Sequence, residues 1–588
     1  MPERLLKTWA PLAAALYVLN LADGPYPGSH WLSNHFFLSQ DLPVLAVLFA
    51  LGAAALVFPG PMGRAVRALG GATGAVFAGA LPPRRAAAAI IALSGLCGLI
   101  AWLGGRLVYD GYALSMDEFM ANFDAVILAR GETMARFAPA WRPFLGALGP
   151  QFLFHPGAGA YWMSQYLPVN AALRALGRWC GAESLVSPLL AAVSVLAVFG
   201  VGRRLWPDEP RVAWLAAMML ATSSQLLVTA MTPYAMTAHL AFNLVWLWLF
   251  LGGGWRGHLG ALTVGVLACG LHQLAFHPLF VAPFILQSWL DRRWALGVVY
   301  TLVYAGACLF WLDYAVLAAG LVGAKGLGTA GGASWFATHA GVNLKGVGLM
   351  AKNLIRFATW QNLLTAPLFA LGAIAAIRAK GAPRALMLGF IFTNLAAYGI
   401  MAYQGHGWGY RYVHGLLGSV CLIAAWTWSN LTKTLTVSDR TAGDGAMAAF
   451  AALSLLVLFP LRAWQTHAFV HPYALADAQI RAARTDGVIV DIAGSRFTMD
   501  LVRNDPYLAN RPLVFYRPFV DEAGVRTLCA HHTLSVFDRS DAGRLGIATF
   551  ETAPAGRLAD LKPLLRSLKC DMTAPKEARE PVNGPPGA

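Results

Sequence analysis

Long apolar runs alternate with short polar connections over most of this sequence. A helix needs about 20 largely apolar residues to cross a bilayer. This rule predicts about 13 transmembrane helices, at 7-23, 41-59, 86-108, 185-203, 212-230, 235-252, 259-275, 278-291, 295-319, 361-378, 385-403, 413-430 and 445-462. The pattern therefore predicts a polytopic α-helical membrane protein.

The composition agrees with this prediction. Hydrophobic residues make up 57% of the 588 positions and charged residues only 12%, whereas a soluble protein is about 25% charged. The net charge is +15, but the basic residues are scattered as pairs between apolar runs and form no long basic stripe. We therefore expect membrane lipids, and no nucleic acid, among the partners.

Basic residues in the short connections indicate the orientation. With the N-terminus in the cytoplasm, alternate connections hold Arg64, Arg67, Arg84 and Arg85; Arg203, Arg204 and Arg211; Arg256; Arg292 and Arg293; Arg378, Lys380 and Arg384; and Lys433 and Arg440. Cytoplasmic loops carry an excess of Lys and Arg, which favours this orientation. It places the connections 24-40, 109-184, 320-360 and 404-412, and the tail from 463, on the periplasmic side of a bacterial inner membrane.

Three regions follow from this topology. Residues 1-85 hold the first transmembrane helices and a basic cytoplasmic loop, and 86-462 form the main transmembrane region with the external loop 109-184. In 463-588, "DGVIVDIAG" and "RPLVFYRPF" predict strands and "GRLADLKPLLRSLKC" predicts a helix, so we expect a small periplasmic α/β domain with a disordered tip. Cys529 and Cys570 lie in this polar tail, where an oxidising space would allow a disulfide.

The external loop contains an acidic stretch, "SMDEFMANFDAVILARG", directly after an apolar run. Its apolar residues recur at helical spacing, with Asp117, Glu118 and Asp124 outside the stripe, which predicts an amphipathic helix on the membrane surface. A second helix is indicated by "SQYLPVNAALRALGRW". Asp124 lies seven residues beyond Asp117, and we interpret it as a solvated surface charge.

The order of these segments resembles a known superfamily. An apolar span that ends in an Asp-Glu pair, a surface helix, and then "YLPVNAALRALGRWCGAESLVSPLLAAVSVLAVFGVGRRLWPDEPRVAWLAAMMLATSSQLL" is similar to the GT-C integral membrane glycosyltransferases. The similar branch includes protein O-mannosyltransferases, lipid A aminoarabinose transferases and galacturonosyltransferases. The resemblance covers roughly 86 to 300 best, is weaker to 462, and is absent from 1 to 60 and from the tail.

The resemblance implies an enzyme that takes a sugar from a polyprenyl phosphate and transfers it to a glycan, lipid or protein acceptor on the outer face. Asp117 matches the first acidic residue of the family pair, which implies the role of general base for the acceptor hydroxyl. Glu118 would orient the acceptor, the base or a metal ion. We expect partial desolvation to raise the pKa of the Asp117 carboxyl and make it more basic.

Candidates for binding the donor phosphate lie in two outer segments. Lys345, Lys352 and Arg356 belong to "GVNLKGVGLMAKNLIRFATW", where Lys352 and Arg356 share one face of a predicted surface helix. Arg411 lies in "YQGHGWGYRYVHG" and is preferred because a guanidinium can grip two oxygens. The alternatives are lipid headgroups for the first segment and an external carboxylate for Arg411.

Four further residues are candidates for binding substrate: His406, Tyr410, His239 and His272. Several family relatives carry a second acidic residue near the position where this chain has Thr237 and His239, so a metal site built from paired carboxylates is not expected. A divalent metal ion is the one cofactor left open. His272 and His277 are five apart, a poor spacing for two ligands on one helical face, so structural histidines are the alternative.

Two other functions compete with glycosyl transfer. A transporter or flippase of an anionic substrate would also have many spans with scattered histidines and basic outer residues, but such proteins usually show internal repeats, and none is evident here. The other is an inactive relative that serves as an assembly component. Replacement of Asp117 by Asn would separate the enzyme from both.

Overall fold

The structure is a computed structural model that describes residues 30–57, 59–77, 81–324, 346–400, 407–492, 497–548 and 560–571. Most of these residues are helical. The α-helices are His30–Phe36, Leu42–Val57, Pro59–Phe77, Pro83–Leu107, Met116–Ala129, Leu145–Leu148, Pro156–Gly159, Val169–Trp179, Val186–Leu205, Pro210–Ala221, Ser224–Thr229, Ala235–Gly252, Gly254–Cys269, Phe276–Leu290, Trp294–Leu312, Tyr314–Leu321, Gly346–Trp360, Thr365–Arg378, Ala382–Ile400, Leu417–Thr432, Val437–Leu453, Phe459–Arg481, Glu522–Cys529, Arg539–Arg544 and Leu561–Ser567. Short 3₁₀ turns at Pro139–Phe144, Glu183–Leu185, Arg411–Leu416, Met499–Leu501 and Arg517–Phe519, and π turns at Phe37–Asp41 and Ser454–Leu458, join or continue them.

Several of these helices are apolar enough to cross a membrane. Among the described residues five pass by length and composition: Pro83–Leu107, Glu183–Leu205, Ala235–Gly252, Trp294–Leu312 and one within Val437–Arg481. Val347–Trp360 and Thr365–Arg378 pass together as a pair bent by 116°. The count of about 13 is not confirmed by this measure, and the predicted first span at 7-23 lies outside the described residues.

The predicted span 212-230 is broken. The segment 212-230 forms two helices, Pro210–Ala221 and Ser224–Thr229, instead of one. Ser223 lies between them, and its hydroxyl accepts a hydrogen bond from the backbone N–H of Leu226 and donates to Gln361. A side chain that caps the second helix in this way stabilises a new helix start, which explains the break.

The tail forms a three-stranded parallel sheet, as the two predicted strands suggested in part. Gly487–Asp491 is the central strand and pairs with Leu513–Tyr516 on one side and Leu534–Asp538 on the other. The third strand was not predicted. Leu561–Ser567 supplies the predicted helix, and Cys529 and Cys570 form the disulfide that the sequence allowed.

The external loop packs on this tail. The predicted helix at the acidic stretch spans Met116–Ala129 and is called the acidic helix below. Its Met116, Met120, Phe123 and Ile127 are buried in one hydrophobic core with residues of the tail sheet such as Phe515. The prediction that the apolar stripe lies on the membrane surface is therefore wrong, because the tail covers that stripe.

A small antiparallel sheet that the sequence did not predict also belongs to the loop. Its central strand, Tyr161–Ser164, pairs with Ala135–Arg136 and with Leu153–Phe154. Trp162, on the central strand, is fully buried and donates a hydrogen bond of 2.7 Å to the carbonyl of Pro506 in the tail. The loop and the tail therefore form one packed unit around the acidic helix.

Candidate active site

The N-terminus of the acidic helix places Asp117 and Glu118 side by side. Ser115 precedes the helix, and its backbone N–H and hydroxyl donate to Oε2 of Glu118 over 2.6 and 3.0 Å. A carboxylate that reaches back in this way closes the first turn of a helix. Glu118 is fully buried, and burial raises the pKa of its carboxyl to about 7. The geometry gives Glu118 a capping role, beside the orienting role that the resemblance implies.

Asp117 faces a different set of partners. The guanidinium of Arg411 donates from Nη1 to Oδ2 of Asp117 over 2.7 Å, and the hydroxyl of Tyr166 donates to Oδ1. The Asp117 side chain retains 10% of its exposure and that of Arg411 15%. Asp117, the general-base candidate, and Arg411, the preferred phosphate ligand, are therefore in direct contact. The alternative in which Arg411 pairs with an external carboxylate is also met, because that carboxylate is Asp117.

The pKa of Asp117 differs from the sequence-based expectation. Burial acts to raise the pKa, but Arg411, His272 and the Tyr166 hydroxyl act against it, and the pKa is lowered from its ordinary value. The expectation of a raised pKa considered desolvation alone and is wrong for this state of the site. Asp117 is therefore held as a carboxylate, able to accept a proton but weakly basic while Arg411 is paired with it.

His272 belongs to the same group of side chains. It lies in the turn between Gly254–Cys269 and Phe276–Leu290, and its ring packs on that of Tyr166 with centroids 3.9 Å apart. Burial lowers the pKa of His272 to about 4, although Asp117 acts in the opposite direction. The imidazole therefore adjoins the Tyr166–Asp117 hydrogen bond, and in its neutral form it can donate one hydrogen bond and accept another.

A pocket lies on the other side of Arg411. It is narrow, with room for about one water molecule, and is lined by Met236, His239, Asn243, Phe276, Thr393, Arg411, Tyr412, Gly415 and Leu416. His239 is 2% exposed, and neither ring nitrogen has a hydrogen-bond partner among the described residues. Buried polar groups are normally hydrogen-bonded. The pocket therefore contains an imidazole, that of His239, whose hydrogen-bonding capacity is unused among the described residues, next to the Arg411 guanidinium that contacts Asp117.

The neighbouring histidine, His277, has a different environment. Its ring nitrogens contact the amide oxygen of Asn243 at 2.6 Å and the hydroxyl of Tyr304 at 2.8 Å. Both nitrogens are therefore satisfied within the protein. This matches the structural-histidine alternative for His277, whereas His272 lies against the site.

Tyr410 is fully buried. Its backbone N–H and carbonyl bind the side chain of Gln225 over 3.2 and 2.8 Å, and its hydroxyl lies 3.8 Å from the sulfur of Met350. These contacts fix the backbone immediately before Arg411. Tyr410 thus positions the loop, beside its predicted role in substrate binding.

Arg356 and Lys352 are buried, so the prediction of an exposed pair on a surface helix is wrong. Lys352 is 3% exposed and donates to Asn34 over 2.7 Å. Arg356 is 2% exposed and donates to the Asp41 carboxylate over 3.0 Å and to the carbonyls of Gly407 and Gly409 over 3.1 and 3.4 Å. For these two residues the lipid-headgroup alternative fails for the same reason.

Asp41 explains this burial. Its carboxylate also accepts hydrogen bonds from Arg462 at 3.1 Å, Thr359 at 3.0 Å and Trp360 at 3.2 Å. Removing one partner from a buried ion pair typically costs about 3–5 kcal/mol, because the other charge is left unpaired. Arg356 is thus tied to Asp41 and holds the loop that carries Arg411. Lys345 and His406 lie outside the described residues.

The tail holds the acidic helix in place through two residues that the sequence analysis did not single out. The carboxylate of Asp500 accepts a hydrogen bond from the backbone N–H of Met116, and burial raises the pKa of Asp500 to about 6. Arg503 donates to the carbonyls of Ala113 and Leu114, the latter over 2.9 Å. No local pattern marks these residues, because they contact the loop from 384 to 390 positions away.

Asp124 is buried, so its interpretation as a solvated surface charge is wrong. It is 6% exposed, and its Oδ1 accepts a hydrogen bond from the backbone N–H of Ser164 over 2.9 Å. Burial raises the pKa of Asp124 to about 7. Asp124 links the acidic helix to the small sheet of the external loop.

Tyr166 is the missed residue that sequence could have found. It belongs to the "YLP" stretch quoted for the family resemblance, yet no role was given to it.

A candidate metal site lies elsewhere. Within the described residues, one group of three His, Cys, Asp or Glu side chains has its ligand atoms close enough together to bind a metal ion. Asp117 does not belong to that group.

Comparison with known proteins gave structural similarity only. No family model matches the sequence, and no curated protein matches it. The crystal structure of ArnT from Cupriavidus metallidurans bound to undecaprenyl phosphate is similar with a TM-score of 0.47 and 14% identity, over 76% of this chain and 90% of that one. The apo oligosaccharyltransferase of Archaeoglobus fulgidus has a TM-score of 0.42 and 13% identity, over 78% of this chain and 68% of that one. At this level of similarity, the activity of the present chain rests on its own residues.

Proposed function

We propose that this chain is a membrane glycosyltransferase that transfers a sugar from a polyprenyl-phosphate donor to an acceptor on the periplasmic face. The observation that carries the proposal is the contact between Asp117 and Arg411 beside the pocket lined by His239. A carboxylate and a guanidinium that meet at a partly open cleft provide the two charges that this reaction needs.

The reaction moves one proton and exchanges one bond. The acceptor hydroxyl attacks the anomeric carbon, the new C–O bond forms as the bond to the phosphate oxygen breaks, and Asp117 takes the hydroxyl proton. Removal of this proton by a positioned base contributes typically about 10²–10⁴-fold to the rate. The polyprenyl phosphate leaves as an anion, and the guanidinium of Arg411 stabilises that charge.

Arg411 couples the two halves of the reaction. Without donor, its guanidinium pairs with Asp117 and helps to lower the pKa of that carboxyl. A donor phosphate competes for the same guanidinium, and its negative charge next to the carboxylate acts to raise the pKa of Asp117. Asp117 therefore becomes a stronger base when the donor is bound. In the empty site its lowered pKa limits proton uptake.

The pocket supplies polar groups for a hydroxyl of the sugar. His239 and Thr393 are buried, and neither the His239 ring nitrogens nor the Thr393 hydroxyl has a hydrogen-bond partner among the described residues. Sugar hydroxyls both donate and accept, so they can satisfy an imidazole and a hydroxyl together. His272 and Tyr166 lie on the Asp117 side, where the acceptor hydroxyl would approach.

Binding of a polyprenyl phosphate to the purified, detergent-solubilised full chain tests the proposal. We expect Arg411→Ala to weaken binding by about 10- to 100-fold, since a hydrogen bond to a charged group contributes about 1.5–3 kcal/mol. Arg526→Ala is the matched control, because Arg526 forms an exposed salt bridge with Glu522 away from the site. Lipid-linked sugars extracted from cells with and without the protein then identify the donor, which should accumulate when the protein is absent. Equal binding by wild type and Arg411→Ala, together with unchanged lipid-linked sugars, would refute the proposal.

A further inference from the structure

Asp110, His467 and His471 come together at a place that the proposed reaction does not use. Asp110 follows the apolar helix Pro83–Leu107, and the two histidines lie on the long helix Phe459–Arg481 that leads into the tail. One ligand atom from each residue lies within 4.8 Å of the other two. The three side chains retain 32% to 45% of their exposure, so ions in solution can reach them.

The backbone brings these ligands to one point. His467 and His471 are four residues apart, so both rings leave the same face of the helix; their centroids are 4.8 Å apart. Asp110 has a φ of 53° and Gly111 a φ of 69°. A non-glycine residue in the left-handed region is uncommon and carries a cost, and such residues cluster at ligand-binding positions. This turn directs the Asp110 carboxylate to the histidines.

The distances suit a divalent transition-metal ion. Oδ2 of Asp110 lies 2.7 Å from Nδ1 of His471 and 4.0 Å from Nδ1 of His467. Zinc bonds to His nitrogen and Asp oxygen are about 2.0–2.2 Å long, so ligand atoms of a tetrahedral site are about 3.3–3.5 Å apart. The observed separations lie on either side of that value. Nδ1 of His467 also lies 3.1 Å from the carbonyl of Val108, so this ring must turn away from that carbonyl to bind the ion.

The ligand types favour the same ions. Two imidazoles and one carboxylate on a tetrahedral centre are typical of zinc, with water in the fourth position. Ca²⁺ and Mg²⁺ prefer oxygen ligands and are disfavoured by the two imidazoles. We propose that Asp110, His467 and His471 bind a divalent transition-metal ion of the zinc type.

Such an ion would join two parts of the chain that are far apart in sequence. Asp110 lies at the start of the external loop, seven positions before Asp117, and the histidines lie on the helix that continues into the tail. Asp500 and Arg503 of the tail hold the segment around Met116. The ion would form a further connection between the loop and the tail, and its binding would stabilise the folded chain by mass action.

Metal titration of the full chain tests the proposal. Protein stripped with a chelator is titrated with Zn²⁺ alone, and the bound metal is counted for wild type, His467→Gln, His471→Gln, Asp110→Asn and the control His531→Gln, which changes an exposed histidine outside this group. We expect each ligand variant to lose one equivalent of zinc, or to bind it about 100-fold more weakly, since loss of an outer-shell partner alone costs about 10- to 100-fold. The control should bind as wild type does.

A ligand exchange identifies the metal-bound atom directly and does not depend on stability. His467→Cys loaded with Co²⁺ should show a thiolate-to-cobalt charge-transfer band that is absent from wild type and from His531→Cys. Zn²⁺ should also raise the unfolding temperature of wild type and not that of His471→Gln. Equal zinc content in wild type and the three ligand variants, or no new band in His467→Cys, would overturn the proposal and leave His471 and Asp110 as a hydrogen-bonded pair.

Discussion

Arg411 and Asp117 form an ion pair of 2.7 Å although 294 positions separate them in the sequence. The loop that carries Arg411 is held by Arg356 through the carbonyls of Gly407 and Gly409, and the helix that carries Asp117 is held by Asp500 of the tail. Both partners are therefore positioned by residues outside the site. The ion pair is the point where the two halves of the proposed reaction meet.

The ion pair predicts a shift in the pH dependence of activity. Burial raises the pKa of Asp117 and Arg411 opposes it, so the acidic limb of kcat/KM for wild type should lie below the ordinary range of an Asp carboxyl. In Arg411→Gln the opposing cation is gone and burial remains, so the limb should move to higher pH. Arg411→Lys keeps the charge and should keep the limb low. An acidic limb that is identical in wild type and Arg411→Gln would contradict this account of Asp117.

The tail contact predicts that Arg503 positions the acidic helix. Arg503 is 5% exposed, donates to the carbonyls of Ala113 and Leu114, and stacks on Tyr112 at 3.9 Å. We expect Arg503→Ala to lower kcat at least about tenfold, since small misplacements of reacting groups cost up to about 100-fold. Polyprenyl-phosphate binding should stay within about twofold, because Arg411 is unchanged.

Two further variants separate positioning from general destabilisation. Arg503→Lys retains one donor and should recover part of the activity, while Arg526→Ala removes only an exposed salt bridge and should behave as wild type. Loss of donor binding and kcat in equal proportion in Arg503→Ala would assign Arg503 to overall stability.

The buried carboxyl of Glu118 predicts how stability varies with pH. Its pKa is raised to about 7 in the folded protein from an ordinary value of 4.5. Between these values the folded state holds a proton that the unfolded state has released, so stability falls as pH rises from about 4.5 to about 7. The contribution is up to about 3 kcal/mol.

Unfolding temperatures between pH 5 and about pH 8 measure this effect. Glu118→Gln retains an acceptor for Ser115 and has no proton to release, so its stability should fall less steeply with pH than that of wild type. Asp124 and Asp500 also have raised pKa values and contribute in the same direction, so part of the slope should remain. Parallel curves for wild type and Glu118→Gln would show that Glu118 is ionised throughout this range.

Local sequence patterns predicted the elements of the site better than its contacts. The Asp-Glu pair was placed at the start of a helix, and Arg411 was selected for the shape of its guanidinium; the structure brings Asp117 and Arg411 together. Arg356 was misplaced because its spacing from Lys352 is the same on an exposed and on a buried helix. Distant partners such as Asp41 determine whether Arg356 is buried, and no local pattern reveals a partner 315 positions away.

The same limit applies to the acidic helix and to pKa values. The spacing of Met116, Phe123 and Ile127 predicts an apolar stripe, but spacing does not indicate whether lipid or protein covers that stripe. In the structure, residues of the tail sheet cover it. Likewise, desolvation of Asp117 was foreseen, whereas the opposing effect of Arg411 depends on a contact between separate loops. Tyr166 could have been selected from the sequence, since it lies in the "YLP" stretch that carries the family resemblance.

The central claim is that Asp117 accepts the acceptor proton during sugar transfer. The direct measurement is the rate of sugar release from the polyprenyl-phosphate donor by membranes that contain wild type, Asp117→Asn or Arg526→Ala at equal protein level. We expect Asp117→Asn to lower the rate by about 100-fold or more, since a positioned base contributes about 10²–10⁴-fold, while donor binding persists and Arg526→Ala, which changes an exposed salt bridge, behaves as wild type. Transfer by Asp117→Asn at the wild-type rate would contradict the account.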